Sequence, residues 1–283
     1  MTEPDPLHPG HRPRAPRQAR TTEIADGVFA YIPSEDGWCP ANAGIITGPE
    51  GVTVVDTVTT EARTRALRAA VASLRSGPVR RIVHTHHHGG HTRGDRDAFP
   101  EATVIAHSLA RSEMAETAIR PALPSVTFDE RLTLHSGDRR IELVYCGPAH
   151  TTNDVVVWVP GDRVLFTGDV VLAGATPCTL MGSVEGALRA IRTLRAFGAR
   201  TVVCGRGPLR DAGVLDETEA YLRWVQAVAM RGWQRGLTPL EMAGEAWAGP
   251  FGHLSGGECL VGNLHRACAE LDGGPLGRPL ALP

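Results

Sequence analysis

Five of the chain's twelve histidines lie in VHTHHHGGH, residues 83–91. Such density suits capture of a metal ion, because a neutral imidazole offers a ring-nitrogen lone pair to zinc and similar divalent ions. In a loop leaving a strand, residues two apart project to the same side. His86 and His88 can therefore converge on one ion, and His91, three residues further on, reaches the same neighbourhood. A histidine-rich polar turn with no ligand is the bland alternative, disfavoured because the cluster directly follows the apolar strand RRIVH. Downstream, GPAHTTND places His150 in a turn between strands, and LFTGD ends a strand at Asp169. Alone, each is an ordinary turn residue. Together, three imidazoles and one carboxylate form a coherent zinc shell.

Short elements must bring these residues together. GVFAYIP and NAGIITG read as strands joined by the loop SEDGWCPA, and GVTVVDT as a buried strand ending at Asp56 and Thr57. EARTRALRAAVASL is a helix with Ala62, Leu67, Val71 and Leu74 on one side, stopped at Gly77 and Pro78. RRIVH and ATVIAH are strands on either side of the cluster, the second followed by a helix around SLARSEMAETAI. VTFDERLTLHSGDRRIELVYCG alternates as a hairpin turning at Ser136, Gly137 and Asp138, and DVVVWVP with RVLFTGD forms a second around Gly161 and Asp162. The helix SVEGALRAIRTLRAFG, with Ser183 as its N-cap, leads to a last strand, RTVVCGRGP. From Val214 the chain is mostly helical. This order predicts an α/β fold of two β-sheets covered by helices, with functional residues in loops at strand ends. The expected divisions are a disordered Pro/Arg-rich arm (1–20), a core (21–212) and a helical extension packed on it (213–283).

Composition sets the outer bounds. With 29 basic and 31 acidic residues the formal charge is −2, so no global field draws the protein to nucleic acid or to an anionic membrane. Six scattered cysteines without a CxxC pair read as reduced thiols. Cys146, Cys178 and Cys204 lie near the motif loops, where packing is the better reading than soft ligation. The N-terminus has no apolar segment of a signal peptide, and runs such as VVVWV are far shorter than the roughly 20 residues of a membrane span. A cytoplasmic protein is the expectation.

THHHGGH resembles the HxHxDH signature of the metallo-β-lactamase superfamily, and GPAHT, FTGD and CGRGP resemble its following motifs in order, over about residues 24–210. The resemblance implies an αββα sandwich with the metal site at the edge of the sheets. By it, His86, His88 and His150 bind a first ion, Asp169 bridges, and His91 faces a second site. Two residues depart from the pattern: Gly90 replaces the signature aspartate, and Arg206 the last histidine. Glycine has no ligating side chain, and arginine stays charged and only donates. A unit charge about 4 Å from a divalent ion is repelled by on the order of 8 kcal/mol at an effective dielectric near 20. One ion, zinc or another divalent metal, is therefore expected, with Arg206 in the second ion's place. His84 and Asp95 are weak substitutes as ligands. With one position left open, zinc lowers the pKa of its water toward about 7 and polarises carbonyls.

A narrower resemblance runs through GWCPANAGIITG, HTTNDVVVWVP, GATPCTLMGSVEGALRAI, TEAYLRWVQ and LVGNLHRACAEL, which look like the actinorhodin-type cyclase/thioesterase branch of aromatic polyketide pathways. It implies a bacterial secondary-metabolism enzyme acting on a poly-β-ketone carried by an acyl carrier protein. The reactions implied are aldol ring closure, dehydration and thioester cleavage. Asp169 and Arg206 are then the candidate catalytic residues, and Arg206, Trp38, Asn42 and Met181 the candidate substrate contacts. Asp56 and Asp154 are expected to brace loops or ligands. The competing readings are a general thioesterase or lactonase and a metal-free binding or scaffold protein. Association into a homo-oligomer is left open.

Overall fold

Seven strands from the N-terminal half build one sheet in sequence order: β1 (Arg20–Ala25), β2 (Val28–Ile32), β3 (Ala43–Gly48), β4 (Gly51–Val55), β5 (Val79–Val83), β6 (Thr103–His107) and β7 (Val126–Phe128). The computed structural model describes residues 19–33, 40–116, 122–247 and 249–275. β1 to β4 pair antiparallel. From β4 onward the pairing is parallel, which requires crossover connections. These carry α1 (Glu61–Ser73), the short helices α2 (Gly89–Thr92) and α3 (Asp95–Ala98), and α4 (Ser108–Glu116).

The second sheet holds β8 (Arg131–Ser136), β9 (Arg139–Tyr145), β10 (Val155–Val159), β11 (Val164–Phe166) and β12 (Thr201–Val203), in the order β12-β11-β10-β9-β8. α5 (Val184–Ala196), capped by the Ser183 side chain, connects β11 to the parallel β12. α6 (Gly213–Gln234), α7 (Pro239–Ala246) and α8 (Cys259–Leu271) follow.

Burial explains the layering. Val28, Ala30, Ile46 and Val83 of the first sheet cluster with Ile141, Leu143, Val157 and Phe166 of the second. The first sheet's other face, with Ile45, Val54 and Ile82, is covered by Leu67 and Val71 of α1. The second sheet's outer residues Val156, Trp158 and Val202 cluster with Leu188 and Ile191 of α5, Leu222 and Val225 of α6, and Leu264 of α8. The result is the expected αββα sandwich, with α6, α7 and α8 following its last strand.

Some expectations change. RTTEIA is strand β1, overlooked because the segment is mostly polar and only partly buried at the sheet edge. Arg20 already pairs with Ile32, so the arm ends before it; residues 1–18 lie outside the described residues. α1 ends at Ser73 with Leu74 as its C-cap, and the backbone turns left-handed at Arg75 (φ 52°) before reaching Gly77. α8 was not delimited in advance. Among the described residues, no helix is long and apolar enough to cross a membrane.

Candidate metal centre

Loops at the strand ends of both sheets meet at one rim. The tie between them starts at Asp56, just past β4, whose backbone is left-handed at φ 58°, an uncommon conformation for a side chain other than glycine. The Asp56 carboxylate accepts from Thr85 N (2.8 Å), from Thr85 Oγ1 (2.7 Å) and from His91 Nδ1 (2.8 Å). One carboxylate thus fixes both ends of the histidine cluster after β5. Asp154 braces the other loop, accepting from Ala149 N, Thr151 N and Thr151 Oγ1 at 2.7–3.0 Å. Asp169 sits in the 3-10 turn Gly168–Val170 after β11. Any side chain at Gly205 would come within 2.2 Å of Asp169 Oδ1, so glycine there lets the two turns close on each other.

Hydrogen bonds set the ring protons of three histidines. Thr85 Oγ1 gives its own hydrogen to Asp56, so toward His86 Nδ1 (3.1 Å) it can only accept. His86 therefore keeps a lone pair on Nε2, which is buried with no hydrogen-bond partner. His150 Nδ1 donates to the Cys178 carbonyl at 2.6 Å, leaving Nε2 as an acceptor. His88 Nε2 faces Met181 Sδ at 3.4 Å, and its Nδ1 lies 3.0 Å from His150 Nε2. Three ring nitrogens thus face one space, and the ligand atoms of His86, His88 and His150 lie within 4.8 Å of one another. Zn–N bonds of about 2.0–2.1 Å in a tetrahedron separate nitrogens by roughly 3.3 Å, so a small relaxation of the two facing rings admits an ion. Burial and the neighbouring imidazoles hold His86 well below the usual 6.5 and bring His88 down to about 2. These two rings are neutral, as ligation requires. The donor set fits a divalent cation.

The neighbouring position is different. His86, His91 and Asp169 form a second convergent group. Arg206, however, donates from both Nε (3.0 Å) and Nη2 (2.7 Å) to Asp169 Oδ2, with its side chain 21% exposed. His91 lies between Asp56 and Asp169, with Nε2 3.1 Å from Asp169 Oδ1. Burial disfavours charge on His91, but the carboxylates of Asp169 and Asp56 outweigh it and push the imidazole up to about 10. Burial would likewise raise Asp169, yet His91 and Arg206 hold it well below the usual carboxylate range. Two positive side chains already surround this carboxylate, whose Oδ2 is 3.7 Å from His150 Nε2.

This arrangement predicts a pH optimum of stability for metal-free protein. His91, raised when folded, contributes stability fully below pH 6.5 that is lost as pH rises through about 10. His86 and His88, depressed when folded, contribute stability above pH 6.5 that is lost as pH falls below it. Urea midpoints of chelator-treated protein should peak near pH 6.5, and His91→Asn should remove the alkaline decline. A flat profile from pH 7 to 9.5 would contradict a charged His91.

Not every expected residue meets the site. Asn42, expected to touch substrate, is 4% exposed, and its Nδ2 donates to the carbonyls of Cys204 (2.9 Å) and Gly207 (2.8 Å). It frames the turn carrying Arg206 instead. Trp38 lies outside the described residues. His84 and Asp95 are buried and pair with each other at 3.1 Å, which removes both as substitute ligands. Burial pushes the thiols of Cys146 and Cys204 up, and Cys178 serves the site through its carbonyl. The hydroxyl relay at Thr85 was missed, although a threonine inside the histidine run is a visible signal for one.

A family model for the metallo-beta-lactamase superfamily matches residues 36–206. The chain is 32% identical over 165 residues to 2,4-dinitroanisole O-demethylase subunit alpha of a Nocardioides species, a match covering 57% of this chain and 47% of that protein. It is 26% identical over 196 residues to metallo-beta-lactamase type 2 of Bacillus cereus, covering 65% and 73%. With hydroxyacylglutathione hydrolase of Methylococcus capsulatus the identity is 31% over 125 residues, covering 43% and 45%. The chain thus spans about half the length of the demethylase subunit and of this hydrolase. The solved metallo-beta-lactamase from Pontibacter korlensis superposes with a TM-score of 0.66 at 26% identity, over 73% of this chain and 99% of that one. Motifs, fold and family model agree: the chain belongs to the metallo-beta-lactamase superfamily.

Proposed function

We propose that this protein is a one-metal enzyme of carbonyl chemistry that closes a ring on a poly-β-ketone by aldol condensation and dehydration, with cleavage of an acyl thioester as an accompanying reaction. The observation that carries the reading is the convergence of three imidazoles beside a carboxylate already paired with Arg206 and His91. His86, His88 and His150 would hold the ion. Zinc or a similar ion bound there supplies Lewis acidity toward a carbonyl and acidifies water.

The chain's own groups have distinct tasks. Asp169, held well below the usual carboxylate range, stays ionised and orients a hydrogen-bond donor without taking up its proton. Arg206 places a fixed positive charge at the partly exposed edge of the site, where an enolate or thioester oxyanion gains most from it. Asp56, through Thr85 and His91, keeps these groups aimed before substrate arrives. The substrate class rests on the likeness of GWCPANAGIITG, HTTNDVVVWVP and GATPCTLMGSVEGALRAI to aromatic polyketide cyclase/thioesterases, and the acyl carrier protein as partner rests on the same likeness. Identity to hydroxyacylglutathione hydrolase favours a second reading, a hydrolase for small thioesters.

Product analysis separates the two. Zinc-loaded protein given a poly-β-ketone thioester should yield a ring-closed, dehydrated product by mass spectrometry, with one metal per chain. Brisk hydrolysis of simple acyl thioesters with no change in ring pattern would replace the cyclase reading by the hydrolase one.

A further inference from the structure

The loop before α5 is pinned at its ends by Thr176 N to Ser255 O and Ser183 N to Ala149 O, and between them it touches two of the three histidines that would hold the ion. Cys178 O accepts from His150 Nδ1 at 2.6 Å, and Met181 Sδ lies 3.4 Å from His88 Nε2. What holds its middle is α8, in the extension beyond the residues that match the family model.

Asn263 and Arg266 sit among the buried residues of α8, both at 0% exposure. An asparagine side chain offers two N–H donors and two main acceptor directions. All four are used here: Oδ1 accepts from Thr179 N (2.7 Å) and Thr179 Oγ1 (2.9 Å), and Nδ2 donates to Pro177 O (2.7 Å) and Tyr221 Oη (2.9 Å). Three of these bonds go to residues directly flanking Cys178. One turn later, Arg266 donates from Nε (3.1 Å) and Nη2 (2.9 Å) to Leu180 O, the residue before Met181. Its Nη1 donates to Pro275 O (3.1 Å), so this guanidinium, expensive to desolvate, joins the C-terminal segment to the loop carbonyl.

We propose that Asn263 and Arg266 are positioning residues of the metal centre, gripping the 177–181 loop so that the Cys178 carbonyl keeps His150 Nε2 toward the ion and Met181 backs His88. This rests on the proposed ion site. The tether acts through a hydrogen bond to the non-ligating nitrogen, the contact that orients metal-bound imidazoles and whose loss weakens metal affinity roughly 10–100-fold.

Zinc affinity by chelator competition, together with the downfield His150 Nδ1–H proton resonance of metal-free protein, tests the assignment. Asn263→Ala should weaken zinc binding roughly 10–100-fold and shift or broaden that resonance. Arg266→Met should act in the same direction and carries the test if the first variant does not fold. Thr238→Ala is the control: its hydroxyl caps α7, accepting from Glu241 N (3.3 Å), so its loss should lower thermal stability and leave zinc affinity within about twofold. Equal weakening by Thr238→Ala, or an unmoved resonance in the loop-releasing variants, would overturn the proposal. If the unaltered protein binds no zinc, the one-metal function falls, and the resonance alone decides whether the tether orients His150.

Discussion

Replacing His86 by alanine is expected to weaken metal binding by on the order of 10³-fold or more and to abolish turnover in a chain that still folds, since loss of an outer partner alone costs roughly 10–100-fold. His86 belongs to both convergent groups, so no ion position at this rim is complete without it. Its Nε2 is buried and has no hydrogen-bond partner, so removing the ring removes an unsatisfied polar atom along with a ligand. The metal-free fold should therefore lose little stability. Metal content after dialysis and circular dichroism check both halves. Retention of a full equivalent of metal by His86→Ala would remove the basis of the site.

Arg206→Ala should have the second-largest effect, acting on stability and on metal content. Removing one partner of a buried ion pair leaves an uncompensated charge, at about 3–5 kcal/mol. Asp169 is only 2% exposed on its side chain, but His91 still faces it, so about 3 kcal/mol is expected for metal-free protein. Millimolar zinc should recover most of that loss, because a cation can take the place the guanidinium vacates. Adding ligands should go further: Gly90→Asp, one residue before His91 in α2, combined with Arg206→His should raise tightly held metal from one ion per chain to two. Elemental analysis and urea denaturation with and without zinc measure these outcomes. A double variant still holding one ion would show that more than two side chains separate this centre from a two-ion site.

The fold was legible because its apolar runs match its layers. VVVWV is buried at every position, and GVTVV likewise. β1 was illegible for the converse reason, since edge strands with one covered face need few apolar residues. The histidines were readable as candidate ligands from type and spacing, but their tautomers depend on Thr85 and Cys178, which only the folded chain brings close. Asn42 shows the same limit. A loop asparagine in sequence looks available, and only the approach of the 204–207 turn uses its amide. Asn263 and Arg266 interrupt the apolar stripe of Leu260, Leu264 and Ala267, and that interruption was the available hint that α8 had work beyond packing.

The left-handed backbone at Asp56 bears on how quickly the site can be filled. Its strain is met when the chain folds, together with the bonds that lock Thr85 and His91. A cation arriving from solution thus finds His86 already aimed and needs only a small relaxation of the His88 and His150 rings, with little ordering entropy to overcome. Loading should then be governed by access through the rim rather than by rearrangement.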